Sequence, residues 1–564
     1  MTTSRSAAFL RHQLLAAAAL VASIALTGCG SLSKSSGKSY TAGAAEQLSQ
    51  NINYLKVSSS DTNAMSVDVG VCGGTLNIPC ATVTICQPGW TNASTQCQTI
   101  NNILLDTGSY GLRVFSSLVT NFTFTPEKSG GNDVAECASY LDGSADWGQV
   151  ASADVYLGSN TGAMEAANVP IELINAGWPS TSVATSTCAN EGIATTGVAY
   201  TLDATPASTG FNGVLGVGLF NQDCGSTCSG SSNNSMYFTC SGSSCSGYAA
   251  PSGSQVSNPI ASLDYLNGGT VTGYNNGVAL ELPGVPTGGA VTAPGYLIFG
   301  INSSGNGSGS IADNTPGSSV MVYTTDSNGY MDTYFNGSIM SSFVDSGSNG
   351  LYFPGPSSLT VCSSLYPFFC PSSLTSYTAT DYPYTTGNYT GGTDTGGTDD
   401  NSSGTCTGGT YSGGAYSGGT CTGGSYSTGT DTGGTYSGSI PCALGYADGT
   451  DSGGTYYNSG GTCTGGTYAA GAYTGGTCTG GSYAGGTDSA GYCVGANETF
   501  SIDNASDEFD SSNPNIVFNN LGGDLSGQFD WGLPFFLGRT IFIGINGTSA
   551  TINGTNYTGP YFAF

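Results

Sequence analysis

The chain has 564 residues, enough for two or more lobes and a large core, yet only 8% of them are charged. Acids outnumber bases 36 to 8. That surplus repels a phosphate backbone and offers no positive patch to anionic lipid, which argues against nucleic acid as a partner.

The first element is a targeting segment. Arg5, Arg11 and His12 form a basic start, and the apolar run Leu14 to Leu26 is too short to span a bilayer. It ends in Leu26-Thr27-Gly28-Cys29, which resembles a bacterial lipobox. The resemblance implies a signal peptide over 1–28, acylation of Cys29 and a tether over 29–60, rich in Ser, Gly and Lys. Gly30 follows the cysteine. By that analogy the protein is an outer membrane lipoprotein, on the periplasmic side or at the cell surface, and the bilayer is its partner through Cys29. An ordinary cleaved signal peptide beside a chance cysteine is the alternative.

Loss of residues 1–28 would remove His12, the only histidine. Ser-His-Asp and Cys-His catalysis and His-ligated zinc are then excluded. Six bases would remain against 36 acids.

Setting Cys29 aside leaves eighteen cysteines in even groups: ten from Cys72 to Cys245, then Cys362 and Cys370, then six from Cys406 to Cys493. In an exported chain this predicts disulfides closed within each group. A metal site at Cys224, Cys228, Cys240 and Cys245 is the competing reading; the spacing does not fix pairings.

Through the rest of the chain, short runs such as "SADVYLG", "GYLIFG", "MVYTT" and "TIFIGI" alternate with Gly, Asn, Ser and Pro, while helical periods are nearly absent. An all-β sandwich or barrel class is predicted. From Tyr384 to Cys493 the text becomes a five-residue repeat, "TCTGGTYSGGAYSGGTCTGG", interrupted by "SIPCALGYADGT". So little aliphatic surface cannot offset backbone entropy, so 372–498 is read as a low-complexity insertion, disordered or stapled by its six cysteines. Its tyrosines are either a surface for sugars or partners or part of a solvated spacer.

Asp-Ser/Thr-Gly occurs five times. Asp394, Asp431 and Asp451 lie inside the repeat without apolar flanks. The other two copies, "ILLDTGSYGLRVF" around Asp106 and "SFVDSGSNGLYFP" around Asp345, share a frame of apolar-apolar-Asp-Thr/Ser-Gly-Ser-x-Gly-Leu. A carboxylate at the end of an apolar run costs several kcal/mol unless it is paired or hydrogen-bonded. A shared frame across so many positions points to duplicated halves; two surface turns are the plain alternative.

These two segments resemble the active-site loops of pepsin-like aspartic proteases. Further segments resemble that family in order: "YLDGSADWGQVASADVYLG" from Tyr140 its flap hairpin, "FNGVLGVGLF" (Phe211 to Phe220) the strand closing the first loop, "GYLIFG" the strand leading to the second lobe, and "LPFFLGRTIFIGI" from Leu533 the second closing strand. The resemblance spans most of Asn101 to Ile545 outside the repeat. "GLPFFLGRTIFIGI" and "GPYFAF" also resemble an uncharacterised family of proteobacterial lipoproteins, catalogued only as a domain of unknown function.

The pepsin-like resemblance implies a bilobal fold, with an N-terminal β lobe over 61–300 and a C-terminal one over 301–371 and 499–564. It implies catalysis by Asp106 and Asp345 on a peptide or protein substrate, without metal or other cofactor. The supporting residues would be Thr107, Gly108, Ser109, Ser346, Gly347 and Ser348, with Tyr140 covering substrate from the flap. Gly108 and Gly347 are expected to allow a sharp turn that brings N–H groups to the carboxylates. Thr107 and Ser346 are expected to cross-link the loops, and Ser109 and Ser348 to bond the outer carboxylate oxygens. Arg113 stands where that family commonly has an aromatic and is expected near the cleft wall. Arg539 is expected to cap a strand or pair with an acid, and Trp147, Trp178 and Trp531 to be core. A surface lipoprotein that keeps the scaffold without catalysis is the second function considered.

Overall fold

A computed structural model describes residues 55–384 apart from short gaps at 60, 73, 91–94, 159–163, 266–273 and 304–311, the backbone strands between 387 and 489, and residues 496–564. The expected signal segment, Cys29 and all but the last few residues of the expected tether lie outside the described residues. The described residues are 44% strand and 11% helix, in keeping with the all-β reading. It divides into two compact units, one formed by 1–320, 340–378 and 499–564 and the other by 321–339 and 379–498. Both loops of the shared frame belong to the first.

In the first unit the strands bearing on the site are β1 (Ala64–Val69), β2 (Pro79–Cys86), β3 (Cys97–Asp106), β4 (Tyr110–Phe115), β5 (Asn132–Ser139), β6 (Ser144–Leu157), β7 (Met164–Ile174) and β8 (Gly213–Val217). They are followed by β9 (Tyr237–Cys240), β10 (Gly277–Leu282), β11 (Ala293–Phe299), β12 (Ser338–Val344), β13 (Leu351–Phe353), β14 (Gly522–Asp524), β15 (Gln528–Trp531), β16 (Arg539–Gly544) and β17 (Tyr561–Ala563).

β8 is buried along its whole length. It lies parallel to β3, with Gly216 beside Asp106, and antiparallel to β4. A strand covered on both faces reads as an unbroken apolar run, which is why "GVLGV" carries no alternation. The second loop repeats the plan. β15 lies parallel to β12, with Trp531 beside Val344, and antiparallel to β13 at Tyr352. Asp345 then donates its N–H to the Trp531 carbonyl at 3.0 Å. Asp106 ends β3 and Asp345 directly follows β12, and each of these strands has a parallel neighbour drawn from much later in the chain.

This pairing corrects one sequence expectation. The strand that closes on the second loop is β15, which ends two residues before the "LPFFLGRTIFIGI" stretch begins. Within that stretch Leu533–Phe536 is a helical turn and β16 pairs with β10 and β17. Pro534 explains the turn: it lacks an N–H for a ladder and fits a helix's first positions. Aromatic packing holds the region. Phe353 stacks on Phe529 at 5.2 Å, Phe529 meets Trp531 at 4.3 Å, and Trp531 meets Phe535 at 4.5 Å. Trp147 and Trp531 are fully buried, and Trp178 packs against the cluster that holds Trp147. Arg539 lies over the Phe535 ring at 4.3 Å.

Among the described residues six disulfides join Cys72 to Cys80, Cys86 to Cys97, Cys137 to Cys188, Cys224 to Cys228, Cys240 to Cys245 and Cys362 to Cys370. All close within the groups read from sequence. They consume the four cysteines of the competing metal reading.

In the second unit the repeat carries strands of two to four residues paired antiparallel in a ten-stranded and an eight-stranded sheet. Strands centred on Tyr build the larger sheet, joined by one centred on Asp399, and strands centred on Cys or Asp build the smaller. In the smaller sheet Cys406 is opposite Cys421 and Cys463 opposite Cys478. The expectation that the six cysteines staple this segment concerns side chains outside the described residues.

Candidate active site

Asp106 and Asp345 are brought together by the ends of β3 and β12. Asp106 is buried and Asp345 half-buried, and their carboxyl groups are within hydrogen-bonding range of one another. Burial pushes the Asp345 carboxyl well above the usual carboxylate range, and the negative charges of Asp106 and Asp530 add to this. The Ser348 hydroxyl works the other way, donating to Asp345 Oδ2 at 2.9 Å.

The two turns are cross-linked. Thr107 N–H donates to Ser346 Oγ at 3.1 Å, and Ser346 N–H donates to Thr107 Oγ1 at 2.9 Å. Each hydroxyl then donates onward: Thr107 to the Val344 carbonyl at 3.0 Å, and Ser346 to the Leu105 carbonyl at 2.8 Å. Both side chains are buried. Serine and threonine are the residues for this task, because one hydroxyl both accepts and donates.

Gly108 and Gly347 donate their N–H groups to their own aspartates, to Asp106 Oδ1 and Asp345 Oδ1, each at 2.8 Å. Neither glycine has a positive φ. The requirement for glycine is therefore one of space. A Cβ on Gly108 would lie 2.5 Å from Asp345 Cγ, and one on Gly347 would lie 2.7 Å from Asp106 Cγ. Each loop leaves out a side chain to make room for the other loop's carboxyl group.

The loops differ at their serines. Ser348 bonds Asp345, whereas the Ser109 hydroxyl is buried with no hydrogen-bond partner. The expectation that Ser109 would bond an outer carboxylate oxygen is corrected. Its backbone carbonyl accepts from Gly218 N–H at 3.0 Å, which fixes the turn through the main chain.

β5 and β6 form the hairpin expected as the flap. Tyr140 begins its turn, which Gly143 completes at φ 84°. The Tyr140 ring packs against Cys72, Ile78, Cys80, Leu104 and Val214, and its hydroxyl donates to Asp146 Oδ2 at 2.7 Å. It thus rests on β3 two residues before Asp106. Asp142, also in the turn, acts electrostatically on Tyr352 of β13.

Arg113 is not at an open wall. It is 2% exposed, and its guanidinium is 2.5 Å from Glu136, 2.9 Å from Asp223 and 3.2 Å from Glu172. The register explains this: β4 runs parallel to β7 with Arg113 opposite Glu172. Burial raises the Glu172 and Asp223 carboxyl groups well above their usual range, and Glu136 adds to both.

Sequence reasoning missed Asp530. It is 2% exposed, and Oδ1 has no hydrogen-bond partner. "QFDWG" reads as an ordinary short strand, and no turn signal marks the acid.

The family described as "Protein of unknown function (DUF3443)" matches residues 57–393 and 451–564, both frame segments included. No curated protein matches the chain.

Proposed function

The chain belongs to that family, whose description assigns no activity, and from the geometry we propose that it is an aspartic-type endopeptidase with a pepsin-like bilobal fold. The observation that carries this reading is the meeting of two carboxyl groups from twin loops. Two carboxylates this close do not both ionise and so share one proton. The ionised member takes a proton from a bound water, and the protonated one donates to the scissile carbonyl oxygen. The Thr107–Ser346 cross-links and the glycine N–H donors hold the pair in place before substrate arrives. Gly108 is exposed and Asp345 half-buried, so the dyad's edge is open to water.

Six disulfides support an oxidising compartment, and the lipobox supports an anchor through Cys29, so the substrate would be a protein at or outside the outer membrane. The test is digestion of a peptide library between about pH 2 and 6, the range of dyad titration. It would compare the wild type, Asp106→Asn, and the wild type with pepstatin. Cleavage by the untreated wild type alone supports the reading. Identical digests in all three would remove it and leave a binding scaffold.

A further inference from the structure

The two loops can be compared position by position, and one position breaks the likeness. β8 places Val214 beside Leu104, two residues before Asp106. β15 places Asp530 beside Phe343, two residues before Asp345. Side chains alternate along a strand, so a residue opposite Phe343 shares the sheet face of Asp345. Where the first half has a buried methyl-bearing side chain, the second has a buried acid.

We propose that Asp530 is a positioning residue of the dyad, a third carboxyl group on the sheet face of Asp345 whose charge opposes a second ionisation there and so extends upward the pH range over which Asp106 and Asp345 share one proton. This rests on the endopeptidase reading of the dyad.

The surroundings of Asp530 support this. A carboxyl group 2% exposed, with one oxygen unpartnered, is tolerated chiefly in its neutral form. The titratable groups acting with it are Asp345 from the end of β12, Asp106 from the first turn and Tyr352 opposite it on β13, where Asp142 also acts. Burial raises its carboxyl group well above the usual range, Ser348 opposes that rise and Asp106 adds to it. Ser348 thus serves both acids, donating to Asp345 Oδ2 and steadying Asp530. A hydroxyl has one proton to give and two lone pairs to accept with. Ser348 gives its proton to Asp345 Oδ2, which favours the charged form there. As pH rises, charge on Asp530 and the second ionisation of the dyad oppose one another, so the singly protonated dyad persists further.

The experiment has two arms. In the first, kcat/KM is followed against pH on peptides cleaved by the wild type. Asp530→Asn and Asp530→Val, the latter restoring the residue type of the first half, should move the alkaline limb to lower pH. Activity at the wild type's upper half-maximal pH should fall several-fold, with little change at the acid end. Ser348→Ala removes the hydroxyl that favours the charged form of both acids and should move the limb the opposite way, to higher pH. An active Asp530 variant with an unshifted limb would overturn the proposal.

The second arm needs no activity. Thermal unfolding of wild type, Asp345→Asn, Asp530→Asn and the double variant is followed from acid to mildly alkaline pH. Non-additive, pH-dependent shifts in Tm are expected. Additive shifts at every pH would overturn the proposal. A wild type that cleaves nothing would defeat the endopeptidase reading alone, and this arm would still decide whether Asp530 acts on Asp345.

Discussion

Thr107 and Ser346, 239 residues apart, each accept the other's backbone N–H and each donate to a carbonyl one residue before the other's aspartate. Four buried hydrogen bonds thus depend on two hydroxyls. Replacing Ser346 by Ala leaves the Thr107 N–H and the Leu105 carbonyl without this partner. An unsatisfied buried group costs about 1–3 kcal/mol. Ser346→Ala should therefore lose at least about 2 kcal/mol, measured by denaturant unfolding. Substitutions of Ser109, whose hydroxyl bonds nothing, should change stability far less.

Gly108→Ala and Gly347→Ala test the spatial argument. A methyl on either glycine meets the opposite carboxyl group at contact distances no real Cβ holds, so that carboxyl must move. A displacement near 1 Å can cost about 100-fold in rate. Peptide cleavage should fall by about that factor while the folded secondary structure, read by circular dichroism, is kept.

Asp345→Asn should abolish cleavage and raise Tm near neutral pH. Burial and the neighbouring acids penalise a charge at this position, and the amide removes it. The gain should shrink as pH falls, because the native carboxyl is then already neutral. A Tm difference constant across pH would contradict this origin.

The pH dependence of stability has a second source near the turn of the hairpin. Burial, then the charges of Asp146 and Asp142, push Asp203 up from 3.8 to about 9, and burial pushes Asp146 up to about 6. These raised values mean that the folded state binds more protons than the unfolded one. Their stabilisation is complete below the ordinary carboxylate range and is lost as pH climbs toward about 9. The wild type should lose stability from acid to alkaline pH, and Asp203→Asn should flatten the curve. A wild-type Tm rising over that range would contradict it.

Arg113 faces three buried acids at once. Removing the one cation from such a cluster leaves charge uncompensated, at about 3–5 kcal/mol. Arg113→Leu should lose that much by chemical unfolding. Arg113→Lys should recover little, since a single ammonium cannot reproduce the guanidinium fork.

The dyad was legible because two copies of one frame carry their own context, apolar before the acid and Gly-Leu after it. The disulfide groups were legible from parity. The closing strand of the second loop was misplaced because "LPFFLGRTIFIGI" is the more apolar text, while "QFDW" pairs in the decisive place. Asp530 and the acids around Arg113 were invisible for one reason. Sequence pattern assigns acids to the surface, and only a parallel register places Glu172 opposite Arg113 or Asp530 opposite Phe343. The space each glycine leaves for the other loop's carboxyl has no local signature.

The sorting of the repeat restricts how its length can change. The strands of successive five-residue repeats pass back and forth between the two sheets, except where "TYSGGAYSGG" and "TYAAGAYTGG" keep two tyrosine strands in the same one. Adding one pentapeptide within an alternating stretch would send every later strand to the wrong partner. Insertions and deletions there should survive only as whole decapeptides, so natural variants of this segment should differ by steps of ten.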